Sequence, residues 1–353
     1  WRRTWTFPLT LALAAWGGAA AYLLITAVVE VTSYPILAIS SFAAVYPLLL
    51  VFIAAALWDA GAAWLAPRAS RIIPPGNPVL ATASPDLSLD TPFSRILPWL
   101  GGLGALAPFV LWRRQFSELF WFADDFFLVD QIAQMGLWNW IGEVFAENFV
   151  PLFKLLWGGA LLGFNGSYGA MLGLLWLTHA LNTALFGRLL VRTGFPLVAV
   201  AVAQIVFGLT PANLETLGWS VQWSAVLATT FLLLALLWQE SVALPSAGWN
   251  WRRHGPLLLF ITASACCFSR GVLTGPVLAL AVLVPTLTAA ATWRTRLLPA
   301  LLCVLPALAV ALLITVFSRG NHQAMSGHWT QAIEFGLGYF LLNPGFLLFG
   351  LTT

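Results

Sequence analysis

Apolar runs long enough to cross a bilayer recur from one end of the chain to the other, near 8–29, 36–57, 96–112, 168–190, 197–212, 222–239, 256–269, 272–291, 297–317 and 336–352. A crossing needs about 20 apolar residues. In hydrocarbon each backbone N–H and C=O must find its partner inside the protein, which leaves helices as the natural solution for runs of this kind. The expected fold class is therefore all-α, a polytopic transmembrane helix bundle of about ten spans. Composition agrees: 60% of the 353 residues are hydrophobic, 8% are charged, and the mean hydropathy is +0.87. A soluble domain carries roughly three times that share of charge.

The same facts exclude several classes of function. A net charge of +3 with no basic run does not suit nucleic acid. Cys266, Cys267 and Cys303 all lie in apolar segments and read as small core residues, not as disulfides or metal ligands. No phosphate-cradling glycine motif occurs, so a nucleotide is not expected as a direct substrate. A transporter ranks last among the expectations without being excluded, since it would place acids inside spans near the midplane, whereas these acids cluster in loops. The nineteen Trp suit interfacial belts, where indole N–H groups meet headgroups and water.

Basic residues set the expected orientation. With a cytoplasmic N-terminus, eleven fall inside (Arg2, Arg3, Arg68, Arg71, Arg95, Arg188, Arg192, Arg252, Arg253, Arg294, Arg296) and five outside (Arg113, Arg114, Lys154, Arg270, Arg319). Acids run the other way, with Asp59, Asp86, Asp90 and Glu240 inside and the remaining nine outside. Residues 1–65 read as an uncleaved transmembrane hairpin for packing or contact with partner membrane subunits. The first apolar run exceeds a signal core, and a second follows at once. Residues 66–95, rich in Pro, read as a cytoplasmic tether. The main bundle spans 96–353, with its longest outer loop at 113–167. Rings and charges alternate over Leu137–Leu156, a pattern expected of amphipathic helices lying on the membrane surface and roofing a site. A chain that opens at Trp1 and stops after an apolar run reads as part of something longer.

Within that loop the stretch Phe120–Asp130 sets Asp124 and Asp125 side by side among aromatic rings. On a loop, both acids can turn toward one pocket. Apolar surroundings raise the pKa of one member and favour general-base chemistry. The plainer alternative is a solvated turn, or a cap in which one acid accepts backbone N–H groups. Adjacent carboxylates also suit a hard divalent cation. Arg113 and Arg114, on the outer side against the general bias, read as snorkelling to lipid phosphates before any substrate role. His179 and Asn182, one turn apart in a span, read as hydrogen-bonding between helices. Gly158, Gly159, Gly163, Gly166, Gly169 and Gly173 read as sites of close helix packing.

The order of these features resembles a known family. An outer Asp-Asp follows the first span of the bundle, and Phe149-Val150-Pro151-Leu152 follows that. His179 and Asn182 then lie in a span. Pro211, Glu215 and Trp219 come next, at fixed spacing in a loop, and Ser269-Arg270-Gly271 forms a turn. Over roughly 96–317 the chain is similar to the polytopic C-type (GT-C) glycosyltransferases, especially relatives of protein O-mannosyltransferases and bacterial lipid-sugar transferases. The resemblance implies a bacterial inner-membrane enzyme that moves a hexosyl or pentosyl group from a polyprenyl-phosphate carrier to an acceptor on the non-cytoplasmic face. It implies Asp124, or failing that Asp125, as general base, and Glu215 as a second acid lining the site. Arg270 falls where a cation meets the carrier phosphate, with Arg319, Lys154 and His322 (His328 nearby) as further candidates. Asn148 stands where many relatives have His, and the large soluble outer domain of some members is absent. The rival expectation is a catalytically silent subunit that keeps this fold inside a larger membrane complex. Acids tied up in caps, with no cavity beside them, would favour that rival.

Overall fold

A computed structural model describes residues 92–144, 149–209, 214–242, 251–283 and 294–317. The hairpin at 1–65, the tether up to residue 91 and the apolar run at 336–352 lie outside the described residues, as do Asn148, Arg319, His322 and His328. Among the described residues all regular structure is helical. Three stretches are long and apolar enough to cross a membrane: Pro92–Leu111, Tyr168–Arg192 and Ser220–Gln239. At 1.5 Å per residue the longest extends about 37 Å, beyond the roughly 30 Å of a hydrocarbon core.

The first of these stretches is two helices, α1 (Pro92–Gly104) and α2 (Ala107–Leu111), followed directly by the short α3 (Arg113–Glu118). Helix thus begins at Pro92, inside the expected tether, because proline's fixed φ and missing N–H cost nothing at a helix start. After α4 (Asp124–Met135), α5 (Leu137–Ile141) and α6 (Pro151–Gly163) comes α7 (Tyr168–Arg192), the helix around which the others are arranged. It packs against α1, α8 (Leu197–Leu209) and α10 (Trp223–Val242). Residues on most sides of α7 are buried, including Met171, Leu175, Trp176, Phe186 and Leu190, so its sequence shows little amphipathic pattern. Ser167 caps it by accepting from Ala170 N, and Arg192 at its last turn donates to Leu237 O at 3.3 Å.

Polar side chains fasten these helices together. His179 Nε2 donates to Gly208 O at 3.1 Å and Asn182 Nδ2 to Val226 O at 2.8 Å, the interhelical bonding expected of that pair. Gln204 Nε2 donates to Pro98 O at 2.8 Å and to Thr183 O at 3.0 Å. A β-carbon at Gly102 would meet Ala180 O at 2.7 Å, so α1 and α7 touch backbone to backbone there. A second packing unit joins α10 to α11 (Trp251–Cys267), α12 (Thr274–Leu283) and α13 (Arg294–Phe317), around Ile261, Leu278 and the buried thiol of Cys303. The exposed Leu298, Leu301, Leu305, Leu308 and Leu312 recur at spacings of three and four, an outward apolar stripe that suits lipid.

Leu137–Leu156 carries α5 and the start of α6; Trp140 and Phe153 are buried while Trp138 is 79% exposed, and α6 packs against α5, α11 and the start of α10. Of the charges in that stretch, Glu143 follows α5, and Lys154, inside α6, is itself buried. Of the six glycines read as packing sites, Gly158 fits, since a β-carbon there would lie 3.0 Å from the Trp140 ring. Gly166 serves a turn at φ +71°, and the other four meet nothing within 4 Å among the described residues.

Candidate functional site

One end of the bundle collects the aromatic and acidic residues. Here α2 ends at Leu111, α7 starts at Tyr168, and the 3₁₀ turn Ser220–Gln222 leads into α10. Trp112, Gln115, Phe116 and Leu119 repeat at helical spacing along α3 and form one wall of a cleft of about 690 Å³. Phe120, Phe122, Tyr168, Gly218 and Trp219 complete it. Phe120 and Phe122 are 67% and 63% exposed, so the rings that border the cleft face outward. Phe122 meets Trp219 edge-on at 5.6 Å, and behind them Trp121 meets Tyr168 at 4.9 Å. A concave apolar surface with few polar groups is the usual form of a ligand site.

The two adjacent acids take opposite positions at the start of α4. Successive helical residues point about 100° apart, so one carboxylate cannot follow the other. Asp124 is exposed and has no hydrogen-bond or ion-pair partner among the described residues. Asp125 is fully buried. Its Oδ1 accepts from Ser220 Oγ at 2.7 Å and its Oδ2 from Phe122 N at 3.2 Å, and the backbone N–H of Val221 also donates to it. Ser220 Oγ in turn accepts from Trp157 Nε1 at 3.2 Å. Burial raises the Asp125 carboxyl above the usual range; the donors from Ser220, Phe122 and Val221 work the other way, and the charge of Asp124 adds to the rise.

Ala123, just before the pair, sits at φ 45°, ψ −111°. A β-carbon makes this region costly, on the order of 1–3 kcal/mol, and such a conformation persists only where its surroundings over-determine it. They do so here. Phe122 O accepts from Asp125 N at 3.0 Å and from Trp219 Nε1 at 3.3 Å, while Phe122 N is held by the Asp125 side chain.

The other candidates are dispersed. Lys154 is buried; its Nζ donates to Trp140 O at 3.0 Å and Glu143 O at 2.9 Å, with the Trp140 ring centroid 4.7 Å away. Burial pulls this ammonium down to about 8, against the opposing charge of Glu143. It ties α6 to the α5 loop and does not line the cleft. Glu215 lies in α9 (Leu214–Gly218), directly before the cleft residues Gly218 and Trp219. Arg270 lies in the 3₁₀ turn Ser269–Leu273. The side chains of both are outside the described residues, as are Arg319 and His322. Arg114 lies 4.0 Å from Glu118, an exposed pair of the weak surface kind.

A divalent cation is poorly served by the acid pair. Asp125 already receives three donors, which leaves Asp124 as the one carboxylate with open lone pairs, and among the described residues no group of three or more His, Cys, Asp or Glu is placed to hold a metal.

Residues that the sequence did not single out complete the site: Ser220, Gln115 and Trp112. Ser220 follows Trp219, the end of the Pro-Glu-Trp spacing, and that adjacency is the one local hint. Its partner Asp125 is 95 residues away, beyond the reach of any local pattern. The chain matches no protein-family model, no curated protein and no solved structure.

Proposed function

We propose that this chain is a GT-C-type membrane glycosyltransferase of the bacterial inner membrane, with about ten spans, a cytoplasmic N-terminus and its acid-bearing end on the non-cytoplasmic side. The observation that carries the reading is the exposed carboxylate of Asp124, which has no partner among the described residues and begins a helix two residues after Phe122, a lining residue of the 690 Å³ cleft that Asp124 itself does not line. A base must reach the acceptor hydroxyl. Asp124 takes that proton as the acceptor oxygen bonds to the anomeric carbon; the bond from that carbon to the carrier phosphate breaks, and its electron pair leaves with the phosphate. The resemblance assigns the leaving phosphate to Arg270, with Arg319 and His322 as further partners, because a guanidinium matches phosphate oxygens bidentately. Glu215, on the helix leading into Trp219, is assigned to the wall of the site. Aromatic faces suit both a sugar ring and the first isoprene units of a polyprenyl chain.

Transfer from polyprenyl-phosphate hexose and pentose donors in membranes tests this. Asp124→Asn is expected to lower kcat by about a hundredfold or more while the fold persists. Transfer by the variant equal to wild type would remove Asp124 from the chemistry.

A second reading, a catalytically silent subunit that contacts partners through the 1–65 hairpin, draws on the tied-up side chains. Asp125 and Lys154 are both committed to backbone and side-chain hydrogen bonds that hold the loops together. Lack of transfer with every donor tried, alongside co-purification with membrane partners that requires the hairpin, would favour it.

A further inference from the structure

We infer that Ser220 and Asp125 form a clamp that holds the peptide at Ala123 in its strained conformation and thereby aims the Asp124 carboxylate, which makes both of them positioning residues. The inference rests on the glycosyltransferase reading and extends it to residues that do not touch substrate.

The clamp closes from three sides. Trp157 of α6 donates to Ser220, Ser220 donates to Asp125, and Asp125 reaches back to the N–H of Phe122. Trp219 of the following loop holds the carbonyl of that same residue at 3.3 Å. Phe122 is thus fixed at both its N–H and its carbonyl, and the turn into α4 must be made by Ala123 alone. That residue has the wrong stereochemistry for φ 45°, where glycine is at home. Asp125 N donates to Phe122 O at 3.0 Å, which closes the turn across Ala123. The strained turn does something a plain cap does not need: it sends Asp125 inward and leaves Asp124 outward, next in sequence to a residue flanked by cleft-lining Phe122. Strain kept at the residue before an acid that has no partner among the described residues is the mark of a site held for geometry over stability.

Glycine at 123 removes the strain but keeps every hydrogen bond of the clamp. In the whole chain, assayed in vesicles with polyprenyl-phosphate hexose and pentose donors, Ala123→Gly is therefore expected to show an unchanged or higher unfolding midpoint and a kcat close to wild type. Ser220→Ala, which breaks the clamp, should lower kcat roughly tenfold or more with little change in KM, as misplacement of a reacting group does, and Ser220→Thr, which keeps the hydroxyl, should restore most of it. If wild type transfers sugar and folded Ser220→Ala keeps full kcat, the clamp is overturned and the glycosyltransferase reading stands. If Ser220→Thr fails to rescue while Ser220→Ala is folded and impaired, the clamp is also overturned, because the hydroxyl bond is then not what matters. Absence of transfer by wild type overturns both.

Discussion

Two of the buried polar nodes in this molecule are built to different ends. In the middle of the bundle, the Gln204 amide donates to carbonyls of two neighbouring helices, from a notch that Gly101 and Gly187 leave open. At the bundle's end, Asp125 collects donors from a serine and two backbone N–H groups. The first node is neutral, joins regular helices and leaves Gln204 Oε1 without a partner among the described residues. The second is a carboxylate that joins loops, lies behind an aromatic cleft and adjoins a strained residue and an exposed acid. Regular helices need a polar pin to set their register and little more. Loops around a cleft have few backbone bonds of their own, so a buried carboxylate with several donors has to order them.

That contrast can be broken by substitution. Asp125→Ala should have the largest effect, about 3 kcal/mol of stability, because it strands several buried donors at once. Chemical unfolding in detergent micelles measures it, and a loss under about 1 kcal/mol would reduce the node to the rank of the helix pins. The same group carries a pH signature. Its folded pKa lies above the ordinary 3.8, so its contribution is present in full below 3.8 and is lost as pH climbs through the folded value. Wild type should therefore lose stability relative to Asp125→Asn on going upward from pH 3.8, and a gap that stays flat or moves the other way would contradict the raised carboxyl.

Next in size is Gly102→Val, expected to cost about 2–3 kcal/mol, since its β-carbon would meet the Ala180 carbonyl and neither helix backbone can yield. A thermal midpoint equal to wild type would show that α1 does not cross α7 so closely. Gln204→Leu should be the mildest, about 1 kcal/mol or less. It removes two hydrogen bonds but also an oxygen left unpaired, and leucine nearly fills the notch. A loss as large as that of Asp125→Ala would erase the distinction between the two nodes.

Much of the architecture was legible before any coordinates. Seven of the apolar runs fall on described helices, because apolar residues in that density leave the backbone no other way to satisfy its hydrogen bonds. His179 and Asn182 were legible for the same reason: a polar group inside an apolar span needs a partner on another helix. The acid pair stood out as charge amid aromatic rings. The loop region was less readable. Lys154 and the nearby Glu143 suggested a polar surface, yet Lys154 turns inward to two backbone carbonyls. A charged residue reads as exposed until a specific set of acceptors is known, and such acceptors are supplied by tertiary folding.

By itself, then, the sequence determined that this chain is helical and apolar enough to cross a membrane, and that its acids stand apart from its spans. Only the tertiary structure decided between the two acids. Asp124 and Asp125 have the same side chain and nearly the same neighbours in sequence. What separates them is the 100° turn of a helix start, and a serine that lies 95 positions away along the chain and 2.7 Å away in space.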